Sequence, residues 1–412
     1  MAGGDGLGNP SENALPRCQA RFLQALVNRL QGVQEGHHRT CHWWMDTICV
    51  PVGEENRNLR KEAIRNMRRT YQDASRVLAL DSSLMAVSRD SPVIELYIRL
   101  KLSSWMRRLW TFQEAILAKD IYIQFSDDTR TIRDIATSLT RELSERKQNL
   151  YTRYGQLAGT FFGPFVQGPA PEISQKLTGM WKQLQWRATS RAADETLCLA
   201  VSLGLDPGPL LEIPPERHEQ RMVRLLQEIR KLPLLVLYQP PPRLDRAGFR
   251  WAPTSFMNTF RATDTNPFRV IDGTGETAPG HEGLMTRRHG FVFHNDDLSR
   301  PLLLPIGSDV VICMSGHPNI RFRAFYSFQD DRRATNIDGS SVLKRPAIVF
   351  LFARPAASSP TMLVEILDGS PPGKLKVAFI AAMMLGQVRH AVAEAEMYKV
   401  KLTSPEQEWD VV

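Results

Sequence analysis

The sequence predicts a chain in three parts: an α/β N-terminal domain built on a flavodoxin-like parallel sheet, a helical middle section and a β-rich C-terminal region. Three observations carry that expectation. Short apolar runs alternate with helix-period segments over the first 150 residues, Pro240-Pro241-Pro242 marks a stiff boundary, and beyond it the apolar spacing shortens to strand-like runs. The chain has 412 residues, more than one ordinary domain, and its composition, 42% hydrophobic and 23% charged, excludes a disordered or collagen-like protein. The expected divisions are 1–205 for the α/β domain, 206–240 for a helical connector and 241–412 for the β-rich domain.

The stretch up to Asn13 is rich in Gly and Ser and reads as loop. Leu15, Cys18, Phe22, Leu26 and Leu30 then recur at helical spacing and predict a helix over 14–31. The run Trp43-Trp44-Met45-Asp46-Thr47-Ile48-Cys49-Val50, closed by Pro51, has the pattern of a strand buried on both faces, with Asp46 as the anomaly inside it. Leu59, Ile64, Met67 and Tyr71 mark a helix over 58–74, and Arg76-Val77-Leu78-Ala79-Leu80 reads as a second buried strand. Helices over 93–100 and 105–118, a strand over 121–125 and a helix over 132–150 complete the alternation. Gly163, Pro164, Gly168, Pro169 and Pro171 break all periodicity and predict a long loop. Helices follow over 177–184, 194–203 and 217–231, the last with Met222, Leu225, Leu226 and Ile229 on one face. Strand-like runs occupy 290–294, 309–314, 321–328, 348–352 and 362–366, and mixed structure is expected from Lys374 onward, with helical spacing over 388–395. No repeat of fixed period is present.

Fifty-two Lys and Arg against 44 Asp and Glu leave a net charge of +8, which permits an anionic partner without choosing one. Arg57, Arg60, Lys61, Arg65, Arg68, Arg69 and Arg76 form the densest basic stretch, against Glu62 and Asp73. Those charges surround a helix instead of lining one groove, so nucleic acid is disfavoured as a partner. The longest apolar stretches, 347–353 and 377–386, fall short of the roughly 18–20 residues of a spanning helix, and no membrane span is expected. The five cysteines are odd in number and sparse, and the opening residues lack an apolar core behind a basic lead, which together predict the cytoplasm. His37, His38, Cys41 and His42 crowd one loop, but adjacent histidines do not converge easily on a metal, and no metal is expected. The P-loop and Gly-x-Ser-x-Gly patterns are absent, which disfavours ATPase, kinase and α/β-hydrolase chemistry.

Chemistry concentrates in the helix predicted over 105–118. Trp110 and Glu114 stand four apart on one face, so an indole can shield a carboxylate from water and hold its orientation. Such a carboxylate can stabilise a developing cation or take a hydroxyl proton, as glycosidic cleavage demands. The plainer alternative pairs Glu114 with a helix-surface arginine and leaves Trp110 as core. Asp46, in a run expected to be buried, needs donors or a partner such as Arg107 or Arg108. It is either a second carboxylate near Glu114 or a structural residue, held in an ion pair or by backbone N–H groups.

Several stretches appear together in one order: Asp5-Gly6-Leu7-Gly8-Asn9 with Leu15-Pro16-Arg17-Cys18-Gln19; Trp44-Met45-Asp46-Thr47-Ile48-Cys49-Val50-Pro51; Trp105-Met106-Arg107-Arg108-Leu109-Trp110-Thr111-Phe112-Gln113-Glu114-Ala115; and Thr189-Ser190 through Asp194-Glu195-Thr196-Leu197-Cys198-Leu199-Ala200. In these the chain resembles the fungal heterokaryon incompatibility (HET) domain family over about its first 205 residues. The later Arg250-Trp251-Ala252-Pro253-Thr254-Ser255 is similar to the segment that begins the C-terminal region of such proteins. The resemblance implies a role in fungal non-self recognition and regulated cell death, on a fold similar to the Toll/interleukin-1 receptor (TIR) domain. Some TIR-like domains cleave the N-glycosidic bond of NAD with a glutamate in a Trp-x-x-x-Glu helix. Carried over, it makes Glu114 the catalytic residue, Trp110 the residue that shapes its pocket, and Asp46 and Arg108 supports, with NAD a substrate and no resident cofactor.

One departure stands out. Where the family continues through a Ser-His-Val-Trp-like strand, this chain has Met1-Ala2-Gly3-Gly4, which predicts an N-terminally shortened domain or a degenerate relative. The alternative function is therefore a non-enzymatic signalling module that acts by self-association under an activating protein.

Overall fold

The computed structural model describes residues 13–32, 41–145, 172–239, 242–257, 271–278, 280–293, 310–315, 317–326, 343, 345–351, 358–370, 373–388, 397–404 and 407–412. It divides into two units, Met1–Pro169 with Lys182–His218, and Ala170–Trp181 with Glu219–Val412. The expected connector 206–240 is thus shared between them. The loop with His37 and His38, the Pro- and Gly-rich segment 151–171 and most of the helical spacing at 388–395 lie outside the described residues.

In the first unit, β1 (Val77–Ala79) pairs in parallel with β2 (Ile121–Gln124), and β3 (Thr129–Thr131) joins β2 antiparallel. Among the described residues this sheet has three strands and is mixed, which overturns the flavodoxin-like and TIR-like parallel sheet expected for the α/β domain. The reason lies in the run expected to be a further buried strand. There the backbone turns into one helical turn, Asp46–Cys49, with Asp46 Oδ1 accepting from the Thr47 N–H at 2.7 Å. The Asn13 amide donates to the carbonyls of Thr47 and Val50 at 3.0 and 2.7 Å and accepts from the Val52 N–H at 3.0 Å. Backbone groups that a ladder needs are spent locally.

Helices Val93–Leu102 and Ile132–Glu145 cover the small sheet, and their apolar faces (Leu96, Leu100, Ile135, Leu139) close over Ile121 and Ile123. The helix expected over 105–118 is two pieces, Ser104–Arg107 and Trp110–Leu117, separated by Arg108 in an extended conformation at φ −77° and ψ 138°. The break is held from outside: Leu109 N–H donates to Ala188 C=O at 3.0 Å, and Ala188 N–H to Arg107 C=O at 2.7 Å.

The second unit is dominated by one sheet. Its strands are β4 (Lys231–Pro233), β5 (Thr274–Glu276), β6 (Leu284–Arg287), β7 (Gly290–Phe293), β8 (Val310–Met314), β9 (His317–Tyr326), β10 (Pro346–Phe350), β11 (Ser358–Ile366), β12 (Lys374–Gln387), β13 (Met397–Leu402) and β14 (Glu408–Val411). The order β11-β10-β7-β13-β8-β9-β12 returns to β11 through the β11–β12 pairing and closes a barrel of seven strands. Strand direction must match after one circuit, so an odd ring requires an odd number of parallel pairs. The β13–β8 pair supplies it. Phe291, Ile312, Ala324, Ile348, Leu363, Met383 and Val400 form the barrel core, while β14, β6, β5 and β4 extend the sheet from β12. No helix among the described residues is long and apolar enough to cross a membrane.

Candidate functional site

The break at Arg108 decides which side chains meet. It turns the short helix Ser104–Arg107 so that Trp105 Nε1 donates to Glu114 Oε2 at 3.3 Å. Two groups set that short helix. Ser103 Oγ accepts from the Met106 N–H at 3.2 Å, an N-cap bond, and buried Asp81, just past β1, accepts from the Trp105 N–H at 3.1 Å. Asp81 also accepts the Ser83 N–H at 2.9 Å and the Ser83 hydroxyl at 2.5 Å. Burial pushes its carboxyl up, but these bonds and the backbone N–H of Ser104 outweigh burial and hold it below its ordinary range.

Glu114, Asp46 and Arg108 line one cavity of about 460 Å³, together with Trp43, Trp44, Tyr71 and Trp105. Trp44 and Tyr71 meet edge to face at 5.4 Å between ring centroids, and Arg76 and His42 also line the cavity. Burial is the main force raising the Glu114 carboxyl above its usual range, and the neighbouring Asp46 adds to it. The Trp105 indole N–H, Arg108 and Arg187 oppose that rise. Tyr71 stays a neutral phenol, raised chiefly by burial and then by the nearby Glu114 carboxylate.

No family model, curated protein or solved structure matches the chain. The geometry therefore stands on its own residues. Three of the four expected site residues, Glu114, Asp46 and Arg108, share the cavity, and Trp110 does not line it. Trp110 Nε1 instead donates to Asp194 Oδ2 at 2.8 Å, so it ties its helix to the segment beginning Ala193–Leu203. The indole beside Glu114 is Trp105, nine residues upstream instead of four. Trp110 and Glu114 do share the unbroken helix Trp110–Leu117, four apart as expected, but the Trp110 indole is bonded to Asp194, and the break at Arg108 brings the upstream Trp105 to the carboxylate instead.

Asp46 forms no ion pair with Arg107 or Arg108; its Oδ1 is held by the Thr47 N–H and hydroxyl. Tyr71, Trp44 and Arg187 escaped the sequence reading. Tyr71 had been legible only as an apolar position on its helix. The basic stretch of that helix is largely engaged: Arg60 Nε donates to Pro51 C=O at 2.9 Å, Lys61 pairs with Glu212 at 2.9 Å, Arg68 donates to Val201 C=O at 2.8 Å and Arg69 pairs with Asp73 at 3.1 Å. Among the described residues no three His, Cys, Asp or Glu side chains gather as metal ligands.

Proposed function

We propose that the first unit hydrolyses the N-glycosidic bond of a pyridinium nucleotide such as NAD, with Glu114 as the carboxylate that faces the developing cation. The observation that carries this reading is a shielded carboxylate beside a second one, Asp46, in a cavity walled by Trp43, Trp44, Tyr71 and Trp105. Aromatic walls suit a planar cationic ring through stacking and cation–π attraction, and two carboxylates that repel each other are relieved by a positive charge between them. Cleavage needs no general acid. The C1′–N bond breaks with its electron pair going to the ring nitrogen, the pyridinium leaves as neutral nicotinamide, and the sugar becomes an oxocarbenium ion. Water then adds at C1′ and gives up one proton, for which Glu114 is the acceptor at hand. Arg108 and Arg76, which both line the cavity, suit the phosphates of such a substrate.

In this reading the activity serves regulated cell death during fungal non-self recognition, in the cytoplasm, as the resemblance of the Trp105–Ala115 stretch implies. Incubation of the full chain with NAD and measurement of released nicotinamide tests it. The expected result is turnover that falls by about a thousandfold in Glu114→Gln. Equal turnover in the two proteins would remove Glu114 from the chemistry.

A further inference from the structure

Arg187 is 1% exposed, yet among the described residues it makes no ion pair. One guanidinium nitrogen donates to Arg108 C=O at 2.7 Å and to Thr111 Oγ1 at 3.0 Å, the ring of Phe112 lies 4.9 Å beneath, and Nε has no partner. Burying a cation costs several kcal/mol, and a carboxylate in contact normally offsets that cost. Hydrogen bonding does not account for the charge, because a neutral amide could donate to the Arg108 carbonyl equally well. The carboxylate that senses this charge is Glu114, on the helix Trp110–Leu117 whose Thr111 and Phe112 Arg187 touches, and Arg187 does not itself line the cavity.

We propose that Arg187 is a positioning residue: it fastens the Arg108 break that brings Trp105 to Glu114, and from its seat against Thr111 and Phe112 it supplies a fixed positive charge against which the Glu114 carboxylate works. The inference rests on the reading of Glu114 as the reactive carboxylate. The oxocarbenium ion needs that carboxylate charged, while burial and Asp46 both favour its neutral form. The other groups facing Glu114 divide as follows. Asp46 comes from the turn Asp46–Cys49, the Tyr71 phenol from Arg57–Asp73, and Arg108 from the helix break. Cys198, from Ala193–Leu203, also senses Arg187, but burial pushes its thiol up to about 12, so it is neutral. Burial lowers Arg187 to about 10, which leaves it charged at neutral pH. Half-buried Arg108 is open to solvent and substrate; Arg187 is shielded from both, so its charge persists whether or not the cavity is filled.

The test is a pH titration of intrinsic tryptophan fluorescence in the full chain, with the Glu114→Gln trace subtracted so that the transition linked to Glu114, through Trp105, remains. Arg187→Gln keeps a donor for the Arg108 carbonyl and loses the charge. Its midpoint is expected about one pH unit above wild type. Arg187→Lys keeps the charge and is expected within about 0.3 unit of wild type. An unmoved midpoint in Arg187→Gln overturns the proposal, as does a one-unit rise in Arg187→Lys or the lack of any Glu114-dependent transition. Should Arg187→Gln fail to fold, Arg187→Met, which fills similar volume without the charge, takes its place, with the same rise expected and an unmoved midpoint again overturning the proposal. No substrate enters the measurement, so a failure of NAD hydrolysis and a failure of this inference are read separately.

Discussion

At the scale of single residues the site is defined by a conflict at Glu114. Burial and Asp46 raise its carboxyl above the ordinary 4.5, so the folded chain binds that proton more tightly than the unfolded chain does. The stability associated with it is full below the ordinary value and is lost as pH rises through the raised one. Glu114→Gln removes this burden: thermal unfolding of the variant is expected above wild type at pH 8, with the gain vanishing near pH 4, and calorimetry at both pH values checks it. A gain equal at both would mean that ionisation is not its source. Asp46→Asn acts on the same carboxyl from the other side. It removes the neighbouring negative charge, so the acid limb of the pH–rate profile for nicotinamide release moves down by about one unit. An upward shift would show that Asp46 works through its hydrogen bonds to Thr47 instead.

At the scale of elements, the segment from Ser103 to Leu117 shows what periodicity conveys and what it omits. Amphipathic helices were legible: spacing of Leu59, Ile64, Met67 and Tyr71 predicts 58–74, and the helix is Arg57–Asp73. Glu114 and Arg108, both singled out from that stretch, line one cavity, but the break at Arg108 was not legible, since its cause, Arg187 and Ala188, lies some eighty residues along the chain. For the same reason the run 43–50 misled: Asn13, far upstream, takes its carbonyls. Asp81 is the local anchor of this arrangement. Its loss leaves the Trp105 and Ser83 N–H groups without an acceptor, so Asp81→Ala is expected to cost about 2 kcal/mol in urea unfolding at pH 7. Because the folded carboxyl is held below the ordinary 3.8, its share of stability is present above that value and is lost as pH falls toward the lower one. The gap between wild type and Asp81→Ala therefore narrows below about pH 4; a gap that persists unchanged at pH 2 would point to packing alone.

At the scale of the whole molecule, closure is the property least accessible to local reading. Strand-like runs in the C-terminal half were visible one at a time, but the ring depends on pairings such as Met397 with Val311 and on β11 meeting both β10 and β12. Two glycines of the second unit separate a closed ring from an ordinary helix by the same substitution. A Cβ at Gly290, in β7, would lie 2.7 Å from the Trp409 ring and 2.8 Å from the Ile348 carbonyl of β10. Neither can retreat easily: Trp409 is fully buried with its indole bonded to Arg288 C=O, and Ile348 is backbone in the ring. A Cβ at Gly179, in the helix Ile173–Leu184, meets nothing within 4 Å. Gly290→Ala is thus expected to destabilise its surroundings by about 1–3 kcal/mol through overpacking. Gly179→Ala is expected to stabilise its helix by about 1 kcal/mol, because alanine has the higher helix propensity and glycine the larger unfolded entropy. Native-state hydrogen exchange reads each effect where it arises: protection of the β7 and β10 amides falls in the first variant, and protection in the helix rises in the second. If the barrel were an open sheet, β7 and β10 could part to admit the methyl group, and Gly290→Ala would leave exchange in the distant β11–β12 pair untouched. In a closed ring the displacement has no free edge at which to end, so protection along β11–β12 falls as well.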